Sequence, residues 1–297
     1  MYPAIDIHAH FGDPACFPQQ GLAKEFLRLP LPEFRSACAR SHIAAACASP
    51  MEAIFPKNAA ELLEANRRMV ELSAREPLLY QWVVLNPLFP ESYAQAEQML
   101  ESPKCVGIKL HPDGHGYALE QYGRQLFDFC AGRKALVEIH TGDSCSDPEL
   151  LVPYANQNPG LRIIAAHVGY GGDGAAQIRA IRSTRGNLYA DISSARSLQN
   201  RLLEWAVLAL EPEKLSMGRN EIDGDAAFVN RFDYDTVPQG KAMWEGHRDY
   251  GDIHVVGCEF RVGCRKIFKS PALSVLHPQP AEERKPFSGW DSFAPFS

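Results

Sequence analysis

The sequence has no C-x-x-C pair, no excess of positive charge, and no apolar run of the ~18 to 20 residues a bilayer crossing requires. Each absence excludes something. Eight cysteines stand singly (Cys16, Cys38, Cys47, Cys105, Cys130, Cys145, Cys258 and Cys264), so neither a disulfide framework nor an all-cysteine zinc site is expected. They read as small buried apolar residues in a reducing compartment. Lys and Arg number 30 against 36 Asp and Glu, and the net charge of -6 repels nucleic-acid phosphates and anionic lipid heads. Neither nucleic acid nor membrane is therefore an expected partner. No basic segment followed by an apolar one precedes the first strand-like stretch, Tyr2 to Ile7, and the expected location is cytoplasmic. What remains is ordinary globular composition: 297 residues, 45% hydrophobic, with 22 Gly and 22 Pro. That length admits two domains, or one (β/α)8 barrel of roughly 250 residues.

A repeating alternation decides between them. Short runs rich in Val, Ile, Leu and Ala recur at Ala4–His8, Ile43–Cys47, Leu79–Leu85, Val106–His111, Ala135–His140, Arg162–His167 and Asn187–Ile192. Each is bounded by Gly, Pro, Asn or Asp, and each is apolar nearly throughout, as strands of a covered parallel sheet are. Between them lie segments with helical spacing. Residues 60–75 place Leu62, Leu63, Met69, Val70 and Leu72 on one broad face, with Glu61, Glu64, Arg67 and Arg68 largely off it. Residues 92–100, 119–131, 148–156, 175–182 and 198–210 read as further helices. Strand and helix alternate seven times within residues 1–215, leaving room for an eighth unit. The expected fold is α/β: a single, distorted (β/α)8 TIM barrel over 1–297, with residues 216–297 an atypical closing segment. That segment breaks the rhythm, holding two Leu (Leu273 and Leu276) against 26 in residues 1–215.

Four of the predicted strands end in histidine. His8 and His10 form an H-x-H whose side chains, at i and i+2, point to one side of a strand and can meet one ion. His111, His140 and His167 end the fourth, fifth and sixth strands. In a barrel these ends converge on one mouth, where catalytic residues are drawn from several strands. A lone histidine there is most often a satisfied hydrogen-bonding residue; five from four strand ends point to a shared metal site. Nitrogen ligation suits one divalent ion, Zn2+ first, with iron, manganese or cobalt as alternatives.

At these residues the chain resembles the amidohydrolase-related metal-dependent hydrolases, which include aminocarboxymuconate-semialdehyde decarboxylase-like enzymes. The carrying segments are IDIHAHFG (5–12), EANRRMVELSAREPLLYQWVVLNP (64–87), VGIKLHP (106–112), VEIHTGD (137–143), IIAAHVG (163–169) and NLYADISS (187–194), in the family's order. The resemblance implies that His8, His10 and His140 ligate the metal. It implies that His167 polarises or protonates substrate without being a ligand. Lys109 and His111, again i and i+2, are candidates to bind a substrate carboxylate; Lys109 could instead be a carboxylated metal bridge or a core-edge partner of Glu138. Asp6 and Asp191 read as structural carboxylates that hydrogen-bond loop amides.

In the family the eighth strand reads like L-x-F-G-[ST]-D, its aspartate serving as ligand and as acid or base. Here Asn220 stands at that place, and an amide neither takes up a proton near neutrality nor ligates as well. Asp223, or Asp225, is the candidate replacement if the strand end is bulged. Three readings follow: a relocated carboxylate, an impaired enzyme, or a reading frame that slipped after Leu215. One motif competes with the metal. Residues 169–174 match G-x-G-x-x-G between strand and helix, with Asp191 placed 22 residues on as a ribose-binding acid would be.

The expected activity is hydrolysis of an amide, ester or lactone of a small molecule by metal-activated water. The alternative is non-oxidative decarboxylation of a small unsaturated or aromatic acid. More remote are an NAD-dependent oxidoreductase and a catalytically dead binding protein. A homo-oligomer is compatible with all of these. Reading the gene in its other two frames beyond Leu215 tests the tail. A slipped frame predicts G-[ST]-D and then a leucine-rich amphipathic helix in one of them. A genuine tail predicts neither, and then Asp223→Asn or Asp225→Asn should abolish turnover; unchanged turnover in both removes the relocated carboxylate.

Overall fold

A computed structural model of the chain describes residues 4–12, 31–41, 43–142, 145–168, 171, 173–193, 206, 209–210 and 214–216. Eight strands follow one another: β1 (Ala4–Phe11), β2 (Ile43–Pro50), β3 (Leu79–Val84), β4 (Cys105–Leu110), β5 (Leu136–His140), β6 (Arg162–Ala166), β7 (Leu188–Asp191) and β8 (Leu215–Ser216). Each pairs in parallel with the next, so spatial order equals chain order. Parallel neighbours require a crossover between them, which helices supply between β1 and β7 among the described residues, and the sheet curls. The curl brings β1 round to face the far side of the sheet: the ring of His8 on β1 reaches Asp191 on β7 at 2.9 Å. The fold is a nearly closed TIM barrel.

Among the described residues the helices are α1 (Leu31–Arg40), α2 (Met51–Ile54), α3 (Ala59–Arg75), α4 (Glu91–Met99), α5 (Pro112–His115), α6 (Leu119–Gly132), α7 (Pro148–Gln157) and α8 (Gly174–Ser183). Helix α3 starts where Asn58 accepts from the Glu61 amide at 3.0 Å, a side-chain cap for a donor that the first turn cannot satisfy. Its fully buried stripe is Leu62, Ala65, Asn66, Met69 and Ser73; Leu63, Val70 and Leu72, expected on the buried face, are only half-buried. The stripe is displaced because Asn66 serves the sheet. Its amide donates to Val84 O at 2.9 Å and accepts from Val84 N at 3.0 Å, standing in for a strand neighbour at the end of β3.

Strand alternation sorts the core into two parts. Outward residues of β4 to β7 (Ile108, Leu110, Val137, Ile139, Ile163, Ala165, Leu188, Ala190) pack against Leu126 and Phe127 of α6, Leu151 of α7 and Ile178 and Ile181 of α8. Inside, Tyr80, Trp82, Ile164 and Tyr189 fill the lower barrel with Ile7, Val106 and Leu136. Trp82 also ties β3 to β1, donating its indole N–H to Ile7 O at 2.7 Å. Above this apolar plug the inward positions turn polar, which the near-continuous apolar runs do not advertise.

The plug leaves Gly107 no room. A Cβ there would lie 2.2 Å from Leu136 O and 2.8 Å from Trp82 Cζ3. Gly107→Ala should therefore cost about 1–3 kcal/mol by overpacking, read as a lower urea midpoint; an unchanged midpoint would contradict this packing.

Candidate metal centre at the barrel mouth

Lys109, Glu138 and Asp191 lie fully buried on the inward faces of β4, β5 and β7, together with His8 on β1. Lys109 and Glu138 are register partners on adjacent strands, and Nζ lies 3.2 Å from Oε1. His8 is held from behind: its Nδ1 lies 2.9 Å from both Glu138 Oε1 and Asp191 Oδ2. Its Nε2 lies 3.0 Å from Lys109 Nζ and 3.1 Å from His10 Nε2. His10 is oriented by its own register partner, Ser49, whose Oγ is 2.9 Å from Nδ1. The H-x-H thus meets at its Nε2 atoms, as the spacing predicts.

The other histidines surround this pair. His111, directly after β4, stacks on His140 at the end of β5, with ring centroids 4.0 Å apart and planes at 8°. The ring of His167 lies 5.1 Å from His140 and 4.5 Å from His8. His167 has φ +59°, a left-handed conformation that ends β6 and turns its imidazole into the mouth. Its Nδ1 lies 2.8 Å from Ser193 Oγ, and that hydroxyl donates to Asp191 Oδ2 at 2.6 Å. Every histidine singled out from the sequence therefore reaches one mouth, with Lys109 in its floor. Asn220, Asp223 and Asp225 lie outside the described residues.

Electrostatics follow from burial and neighbours. Burial, then the positive neighbours around them, hold His10, His111 and His167 well below the usual imidazole range. Those rings are neutral, the form in which imidazole ligates. For His8, burial works the same way, but Glu138 and the hydrogen bond to Asp191 raise its pKa above the ordinary value. Burial would push the Glu138 carboxyl up; His8 and Lys109 bring it below the usual carboxylate range. Burial lowers Lys109 despite Glu138 beside it.

The donor set fits a divalent ion. The 3.1 Å between the His8 and His10 Nε2 atoms is close to the ~3.3 Å edge of a tetrahedron built on Zn–N bonds of ~2.0 Å. Asp191 Oδ1 is buried without a hydrogen-bond partner among the described residues. One atom each from His8, His167 and Asp191 lies within 4.8 Å of the others, the compact grouping of ligand atoms found among the described residues. Asp191 thus does more than serve loop amides, although it also faces the His167 amide at 3.4 Å. Strand phase was the available signal: Asp191 and Ser193 share the inward side of β7's end, as Glu138 and His140 do on β5.

The family model described as "Amidohydrolase" matches residues 5–233, and the chain belongs to that family. No curated protein matches it. Among solved structures, it is similar to 2,6-dihydroxybenzoate decarboxylase from Rhizobium: 14% identity, 91% of this chain and 99% of that one, TM-score 0.62. A 5-carboxyvanillate decarboxylase from Novosphingobium aromaticivorans, complexed with manganese and a nitrobenzoic acid, is 12% identical over 81% and 92%, TM-score 0.57. A zinc-bound amidohydrolase from Burkholderia multivorans is 14% identical over 88% and 95%, TM-score 0.54.

Family membership displaces the dinucleotide reading, and the local structure gives its residues different roles. Gly171 is glycine because a Cβ would lie 1.8 Å from Gly142 O. Asp173 caps α8 itself, accepting from Ala175 N at 2.9 Å, at the place a pyrophosphate would occupy. Asp191 is buried against His8. Among the described residues no helix is long and apolar enough to cross a membrane.

The two ligand groupings make opposite forecasts. If His8, His10 and His140 hold the ion, elemental analysis finds about one equivalent of divalent metal, most of it lost in His8→Ala and His140→Ala and retained in His167→Asn. Loss from His167→Asn with retention in His140→Ala would assign the ion to His8, His167 and Asp191.

Proposed function

We propose that this chain is a metal-dependent hydrolase that cleaves an amide, ester or lactone of a small molecule, with His8, His10 and His140 holding one divalent ion, Zn2+ first. The convergence of the His8 and His10 Nε2 atoms at 3.1 Å, on a floor of buried charge, is the observation that carries this reading. A bound ion would supply Lewis acidity there, polarising a carbonyl and lowering the pKa of water to about 7.

The chain's own residues do the rest. Glu138 and Asp191 fix the His8 ring through Nδ1, and Ser49 fixes His10, so neither ring must reorganise when substrate arrives. His167, its Nδ1–H held by Ser193, takes up a proton at Nε2 as general base and, in the protonated form this makes, returns it to substrate and stabilises charge on the carbonyl oxygen. Lys109 lends its charge to the site floor and, with His111, favours a substrate bearing a carboxylate. Asp223 is the proposed second acid or base.

The same β4 end favours a second reading, decarboxylation of a small unsaturated or aromatic acid. His111 would anchor the carboxylate that is lost as CO2, over the buried charge of Lys109, with a proton delivered to the adjacent carbon. The aromatic-acid decarboxylases among the similar folds support it. Zinc- or manganese-loaded protein offered amides, esters, lactones and hydroxybenzoates separates the two by its product, alcohol or amine against CO2. In whichever reaction is found, His167→Asn should lower the rate ~10²- to 10⁴-fold; turnover at the parent rate would reduce His167 to a structural role.

A further inference from the structure

The mouth histidines are not equivalent donors. A neutral imidazole carries one proton, so whatever its Nδ1 contacts decides what Nε2 offers. Ser193 has a single hydroxyl proton and gives it to the Asp191 carboxylate at 2.6 Å; at 2.8 Å it must therefore accept from His167 Nδ1–H. His8 Nδ1 likewise faces two carboxylates, which can only accept. Both rings keep the proton at Nδ1.

His111 has the opposite polarity. It caps α5, and its Nδ1 accepts the Gly114 amide N–H at 2.9 Å. An atom that accepts a hydrogen bond holds a lone pair, so the ring proton sits on Nε2. The backbone enforces this: a Cβ on residue 114 would lie 2.9 Å from His111 Nδ1 and 2.8 Å from Ile54 O, so only glycine brings its amide so close. The parallel stack on His140 at 4.0 Å keeps the ring edge in the mouth. Among the described residues no acceptor takes the Nε2–H.

We infer that His111 is the fixed neutral hydrogen-bond donor of the mouth, set by the Gly114 amide to present Nε2–H to an anionic oxygen of the substrate, and for that reason is not a metal ligand through Nε2. This deepens the proposed function, whose substrate-binding residue it assigns a proton and a specificity: an acceptor oxygen, carboxylate or phenolate, opposite His111.

The test needs no turnover. In metal-free protein labelled with 15N-histidine, two-bond 15N–1H spectra distinguish the tautomers, and the signal lost in His111→Gln identifies the ring. The expected result is a pyrrole-type Nε2 and a pyridine-type Nδ1 for His111, changed in Gly114→Ala. A protonated Nδ1 would overturn the inference while leaving the metal reading intact. Benzoate, as a plain carboxylate probe, should shift the Nε2–H resonance. Its dissociation constant should rise about 10- to 100-fold in His111→Leu and recover largely in His111→Gln, which keeps an N–H donor. Equal benzoate affinity in all three proteins would overturn the donor role.

Discussion

One buried imidazole organises the mouth of this barrel. His8 stands between two carboxylates from different strands, Glu138 and Asp191, with Lys109 against its other nitrogen. Four ionisable side chains without solvent contact are costly unless each finds a partner, because burial removes their hydration. Here each opposite charge supplies the other's solvation, and removing one leaves a buried charge uncompensated. The same contacts that make the layer tolerable also aim the rings. Carboxylates behind Nδ1 of His8, and Ser49 and Ser193 behind those of His10 and His167, turn the mouth into a preorganised set of nitrogen donors.

The barrel supports this arrangement by separating stability from chemistry. Outward residues of β4 to β7 meet α6, α7 and α8 in one apolar layer, while Trp82, Tyr189 and their neighbours plug the lower interior. The polar floor rests on that plug. Chemistry is confined to the strand ends, where His111 and His167 leave regular strand geometry to reach the mouth.

Much of this was legible in the sequence, for physical reasons. Seven strands were readable because a short run apolar on both faces, bounded by Gly, Pro, Asn or Asp, suits a parallel strand covered on both sides. The observed strands fall at the same places. The H-x-H and the three strand-end histidines were readable because strand ends of a barrel share one mouth. What escaped was whatever depends on register between strands. Ser49 gains its role only by pairing opposite His10, and Ser193 only by lying beside His167 across the β6–β7 ends. Asp191, read as a loop-amide acceptor, also stands at the ring of His8 across the closing barrel, a contact 183 residues apart in sequence. Helix α1 was missed because Leu31–Arg40 mixes Pro, Ser and charge among its few apolar positions. The short turn α5 is set by its His111 cap instead of by periodicity, and α2, four residues long, is too short to show a period.

In the proposed site the H-x-H pair and His140 converge on one metal ion at this mouth. Crystals of zinc-loaded protein measured on both sides of the zinc absorption edge test it directly. A single strong anomalous peak is expected within coordination distance of the Nε2 atoms of both His8 and His10, with His140 completing the protein ligands. A peak elsewhere on the chain, or zinc-loaded crystals with no peak at the mouth, would contradict it.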